Sequence, residues 1–108
     1  MAMTLNEYQQ LSTRTIPAST PSGMANYALG LVCESGEVGD HIKKHVYHGH
    51  PINLEGVLDE LGDVLHYLSG LAYMAGHSLD DVATFNLSKL SKRYPKGFSQ
   101  EASLNREY

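Results

Sequence analysis

Two acidic pairs, Glu34-x-x-Glu37 and Glu60-x-x-Asp63, each lie inside a segment whose apolar residues recur at helical spacing. Residues three apart on a helix are neighbours on one face, so each pair presents two carboxylates side by side. A turn signal, His48-Gly49-His50-Pro51, separates the two segments. If they fold back as an antiparallel hairpin, the carboxylates meet in one cleft. Four negative charges within roughly 4–6 Å of one another cannot all stay ionised unless cations intervene. Oxygen-only donors select hard cations, Mg²⁺ first and Mn²⁺ next.

An isolated acidic pair is ordinarily a solvated helix face, but two features set these apart. Gly36 and Gly62 occupy mid-helix positions inside the pairs, where Gly costs about 1 kcal/mol against Ala. The Glu60-x-x-Asp63 pair also lies in an otherwise apolar segment, where an unpaired charge is expensive.

At 108 residues the chain makes one domain, with residues 1–98 helical and 99–108 a polar tail. A wide acidic cleft uses up interior in a domain this small. The expected fold is therefore all-α, a four-to-five-helix bundle completed by oligomerisation. A net charge of −4 argues against a nucleic-acid-binding surface. The lone Cys33 fits a reducing compartment. The N-terminus lacks the basic and apolar regions of a signal peptide. The apolar stretch from Val57 to Ala75 is broken by Asp59, Glu60, Asp63 and His66, so it is no membrane span. The expectation is a cytoplasmic protein.

Thr4 and Glu7 form a capping-box pattern ahead of a first helix that fades before Pro17. Residues 17–23 read as a loop. A second helix is expected from Ser22 or Gly23 to about Tyr47. Gly30, Gly36 and Gly39 in it suggest close approach to another helix or a ligand. Asn53 is an N-cap for a third helix, apolar over most of its circumference and so expected to be buried by several neighbours. Gly76 ends it as a left-handed cap, and Ser78 with Asp80 and Asp81 starts a fourth. On that fourth helix Asn86, Lys89 and Arg93 form a polar stripe at i, i+3, i+7. The stripe suits oxyanion binding, or it is a solvated face. His66 and Tyr67, one turn past Asp63, line a pocket or fill the core.

His41 and His45 have i, i+4 spacing and could share zinc. His41-Ile42-Lys43-Lys44-His45 lacks the Glu of a zinc-protease helix, and its lysines repel cations. Cationic residues also suit a helix C-terminus. A carboxylate cluster with a cationic stripe nearby has a natural substrate in a polyphosphate, with divalent ions bridging carboxylate and phosphate oxygens. A carboxylate not consumed as a ligand takes a proton from water. The cationic stripe stabilises the leaving group.

Three stretches, 29–39, 59–68 and 86–99, carry a resemblance that runs from about Tyr27 to Arg106. They include Glu34-Ser35-Gly36-Glu37, Asp59-Glu60-Leu61-Gly62-Asp63 and Asn86-x-x-Lys89-x-x-x-Arg93-Tyr94-Pro95. The chain resembles the small, single-domain MazG-like, all-α nucleoside triphosphate pyrophosphohydrolases. The resemblance implies cleavage of a nucleoside triphosphate to monophosphate and pyrophosphate with Mg²⁺. It implies that Glu34, Glu37, Glu60 and Asp63 are catalytic and hold the metal ions. It further implies that Asn86, Lys89 and Arg93 contact phosphates with help from Lys43 or Lys44. Tyr94 and His66 join the substrate site. It also implies dimers, or tetramers built of two dimers, with sites near subunit contacts. Two residues depart from the pattern. His66 stands where relatives often carry Trp, which bears on base preference, and Ser35 stands where Ala is common. Two other readings compete with this one. The first is an enzyme specific for dUTP or phosphoribosyl-ATP on the same scaffold. The second is a non-catalytic metal-binding helical oligomer.

Overall fold

The structure, a computed structural model, describes residues 2–16 and 19–105. Part of the loop expected at 17–23, and Arg106 in the tail, lie outside the described residues. Five helices follow in order: α1 (Leu5–Thr13), α2 (Pro21–Tyr47), α3 (Leu54–Met74), α4 (Leu79–Arg93) and α5 (Gln100–Leu104). Among the described residues the β pairing consists of an isolated Pro95–Gly97 bridge. The all-α expectation holds.

Local chemistry sets the helix ends. The Thr4 hydroxyl accepts from the Glu7 N–H while the Glu7 carboxylate accepts from the Thr4 N–H. Ser78 and Asp81 repeat that reciprocal cap at α4, and the Asn53 side chain caps α3 through the Gly56 N–H. Each such cap contributes about 1 kcal/mol. α2 begins earlier than expected, because Thr20 accepts from Gly23 N–H and Pro21 sits in the first turn. There its fixed φ suits a helix and its missing N–H costs nothing. Gly76, at φ +83°, ends α3 in the left-handed region. The tail is not wholly irregular: Ser99 caps the short α5.

α2 and α3 form an antiparallel hairpin, with α1 laid across α3 and the start of α4 against α1. Tyr27, Leu31, Glu34, Val38 and His41 are the half-buried positions that α2 turns towards α3. Two glycines permit the close crossing. A Cβ at Gly30 would overlap the Tyr67 ring, and one at Gly70 would overlap Tyr27. Gly36, Gly39 and Gly62 instead border open space. Close approach within the chain therefore accounts for Gly30 but not for the glycines inside the acidic pairs.

The core is thin. Among the described residues Leu79, at 3 % exposure, is the buried hydrophobic residue. α2 contains no buried residue over its 27 positions. Leu54, Leu58 and Leu61 make an exposed apolar stripe on α3, with Leu58 71 % exposed. Within one chain α1, α2 and α4 pack on α3 and leave this stripe open, the face for which the sequence implies a partner subunit.

Polar bonds substitute for part of that core. The buried Gln9 amide donates to the backbone carbonyls of Ser69 and His77, at 3.2 and 3.1 Å, and its oxygen accepts from Leu79 N–H at 2.9 Å. One side chain thus ties α1 to α3 and to the first turn of α4. Gln9→Leu leaves these buried groups unpaired and should cost about 1–3 kcal/mol. An unchanged urea midpoint would show that the network carries no stability.

Candidate active site

The hairpin brings three of the four expected carboxylates together. Glu34 from α2 and Glu60 and Asp63 from α3 each place an oxygen within 4.8 Å of the others. The two pairs do not enter as equals. Glu34 and Glu60 are half-buried, whereas Glu37 and Asp63 are exposed. Positions three apart on a helix differ by about 60° in direction, so one member of each pair is half-buried in the seam and the other more exposed; Asp63 still reaches the group from the seam's open edge, whereas Glu37 does not. Glu37 stands outside the tight group, yet its charge still acts on Glu34.

The electrostatics follow from this crowding. The Glu34 carboxyl is pushed up to about 7, first by its hydrogen bond with Glu60, then by burial, then by the negative charges of Glu60, Asp63 and Glu37. A shared proton does here what a cation would do: it lets two carboxylates sit in contact. The donors are all hard oxygens, and Glu34 needs positive charge to ionise near neutrality. This set fits a divalent cation of the Mg²⁺ and Mn²⁺ type.

The cationic stripe is elsewhere in the chain. Asn86 and Lys89 line a groove with Ala72 and Ala75, at the far end of α3. Asp63 and Ala72 are nine residues apart, about 13 Å along a helix axis. Within one chain α4 and the carboxylates therefore serve different ends of α3. Arg93 and Tyr94 are half-buried at the C-terminus of α4, where Tyr94 contacts the Phe98 ring at 5.3 Å between centroids. Lys44 is engaged by Asp40 at 2.8 Å along its own helix. His66 accepts or donates a 2.7 Å hydrogen bond with Ser12 and packs against Tyr27 and Tyr67. Of its two expected roles, the structure displays the packed one.

The histidines do not pair with each other. His45 Nδ1 is hydrogen-bonded to the His50 carbonyl at 2.8 Å, bracing the turn after α2. His41 instead turns to the carboxylates, with Nε2 4.0 Å from Glu60 Oε1. In sequence His41 pairs by spacing with His45. Its spacing of seven residues from Glu34, two helical turns, was the signal that it shares the same face.

A helical hairpin that clasps hard carboxylate donors beside open surface defines an all-α protein with an acidic site whose donors suit a divalent cation. More specifically, the chain belongs to the MazG nucleotide pyrophosphohydrolase domain family, whose model matches residues 22–98, more than two thirds of its length. It is also similar to the Gene 37 protein of Mycobacterium phage L5, with 33 % identity over 88 residues, covering 78 % of this chain and 77 % of that protein. No solved structure gives a significant match. Membership supports nucleotide pyrophosphohydrolase chemistry and dependence on a divalent metal. No helix among the described residues is long and apolar enough to cross a membrane.

Proposed function

We propose that this protein is a Mg²⁺-dependent hydrolase that cleaves the α–β phosphoanhydride of a (d)NTP, releasing a monophosphate and pyrophosphate and so trimming the nucleotide pool. The observation that carries the reading is the convergence of Glu34, Glu60 and Asp63 inside a matched MazG domain. Glu34, Glu60 and Asp63 would hold the cation, Mg²⁺ or Mn²⁺, and Glu37 would complete the set. A divalent cation bound there supplies positive charge to phosphate oxygens and acidifies water. Glu37, exposed and outside the tight group, would be the carboxylate not fully consumed as a ligand and so the one to accept the proton of the attacking water.

Phosphate recognition needs Asn86, Lys89 and Arg93 with Tyr94 beside them, and one chain does not bring Asn86 and Lys89 to the carboxylates. A second copy supplies the missing element. The exposed Leu54, Leu58 and Leu61 stripe, together with Phe85 and Leu87 on α4, is apolar surface of the kind that subunit contacts cover. Homodimers or tetramers are the expected state. Because Asp40 engages Lys44, Lys43 is the better candidate to assist at phosphate. His66 enters as part of the pocket wall, since Ser12 already takes its ring nitrogen. The exposed thiol of Cys33 suits a reducing, cytoplasmic setting.

The test is product analysis with each common (d)NTP and Mg²⁺, beside a mass measurement in solution. Monophosphate plus pyrophosphate from an oligomer is the expected result. Diphosphate plus phosphate, or no turnover, overturns the reaction. Turnover by a monomer overturns the shared site. Activity confined to dUTP or phosphoribosyl-ATP would identify a specialist on this scaffold.

A further inference from the structure

We infer that Ser12, on α1, is a positioning residue for the cation site: through His66 it holds the layer of rings that fixes how α2 crosses α3 beside the carboxylates. The inference rests on the reading of Glu34, Glu60 and Asp63 as cation ligands. α1 precedes the segment 22–98 that the family model matches, so membership assigns this serine nothing.

The crossing is set by rings seated on glycines. Tyr67 of α3 lies over Gly30 of α2, and Tyr27 of α2 lies over Gly70 of α3, each where a Cβ would overlap the ring. The two tyrosines meet edge to face, with centroids 5.3 Å apart. The His66 imidazole packs against both, 5.7 Å from Tyr27 and 5.4 Å from Tyr67. Close-packed rings do not move singly, so a turn of His66 shifts the tyrosines and the backbones beneath them. The acids are the next layer along both helices. Gly30 is four residues before Glu34, and Tyr67 is four residues after Asp63. Four residues are about one turn, roughly 6 Å. A changed crossing at the rings therefore moves Glu34 relative to Glu60 and Asp63.

Ser12 reaches this layer from outside the hairpin. Its hydroxyl lies 2.7 Å from His66 Nδ1, and both residues are half-buried. A hydroxyl donates or accepts, so the bond holds in either neutral tautomer and fixes which edge of the ring meets α1. Bonds that do not involve the ring deliver the serine there. Gln9, three residues earlier, is tied to the backbone of Ser69, His77 and Leu79. Asn6 exchanges two hydrogen bonds with Asp80. Such a restraint has work to do in the metal-free chain, because three carboxylates within 4.8 Å of one another repel when ionised. It also has a chemical signature. Mg²⁺ demands near-octahedral geometry, whereas Ca²⁺ tolerates irregular oxygen sets. A loosened crossing should therefore weaken Mg²⁺ more than Ca²⁺.

The experiment is calorimetric titration of Mg²⁺ and of Ca²⁺ into the metal-free full chain, without nucleotide. Ser12→Ala should weaken Mg²⁺ by about tenfold, the lower end of what losing a supporting hydrogen bond costs at a metal site. Ca²⁺ should weaken by less than about threefold. Ser12→Thr keeps the hydroxyl and should restore Mg²⁺ affinity to within about twofold of wild type. His66→Phe keeps a ring in the layer and breaks the same bond from its other side, so it tests the inference even if Ser12→Ala fails to fold. It should weaken Mg²⁺ in the same direction, and adding Ser12→Ala to it should cost nothing further. Asn6→Ala loosens α1 at its far end and should leave both affinities within about twofold of wild type. Wild-type Mg²⁺ affinity in Ser12→Ala or in His66→Phe overturns the inference, as does failure of Ser12→Thr to restore it. Equal weakening by Asn6→Ala, or equal loss of Mg²⁺ and Ca²⁺, reduces Ser12 to a fold-stabilising role and overturns it too. If the wild type binds neither ion, the carboxylate reading itself fails, an outcome distinct from loss of the serine's role alone.

Discussion

Asp63→Asn is expected to lower nucleoside triphosphate turnover by about 100-fold or more, the scale of removing one group that stabilises transition-state charge. The substitution takes away one negative oxygen and leaves the shape of the side chain. Asp63 is exposed, so no packing is lost, and the fold should stay within about 0.5 kcal/mol of wild type. Any change in stability without metal should be a gain, because Asp63 is one of the charges that act on Glu34. Glu37→Gln should also nearly abolish turnover. Steady-state rates beside denaturant unfolding separate the two effects. Wild-type turnover in folded Asp63→Asn removes this residue from the mechanism.

The second large effect concerns pH. Glu34 titrates at about 7 in the folded chain against 4.5 ordinarily, so between those values the folded protein holds a proton that the unfolded chain has released. The sign follows from linkage. The stability associated with this group is fully present below about 4.5 and is lost as pH rises through about 7. Metal-free protein should therefore melt at progressively lower temperature as pH rises from about 4.5 to about 7, with this contribution levelling off above it. Divalent cation must displace the same proton. Its apparent affinity should rise by about tenfold per pH unit up to pH 7 and level off above it. Melting curves with and without Mg²⁺, and metal titrations across that range, check both slopes. Glu34→Gln should flatten both. A wild-type metal affinity independent of pH below 7 would show that Glu34 is not deprotonated on binding.

Much of the secondary structure was legible because it is settled over a few residues. Thr4 with Glu7, Asn53, and Ser78 with Asp81 announce helix starts, since a side-chain acceptor at that offset satisfies an orphan N–H whatever the rest of the chain does. Gly76 announces an end for a similarly local reason, the backbone conformation it can adopt. The acidic pairs were visible too, because helical spacing alone sets their members side by side. α5 was missed because one helical turn leaves almost no periodic signal.

Other features depend on residues distant in the chain. Gly56 and Gly70 proved to be close-approach glycines beside His41 and Tyr27, while Gly36 and Gly62 border open space. All four look alike in sequence, and only the partner across the seam distinguishes them. Gln9 gave no signal, because its three backbone partners lie 60 to 70 positions away.

The order of residues was enough to establish two helices joined by a turn, each carrying a pair of carboxylates, with a hard cation as the natural counter-charge should they fold together. Helical periodicity and capping act over one or two turns, and charge repulsion between crowded acids needs no further detail. The three-dimensional packing chose which acid of each pair enters the seam, turned His41 to Glu60 instead of His45, and left Asn86 and Lys89 at the other end of α3. Those outcomes depend on helix rotation and crossing, and a helix rotates to suit whatever lies across from it.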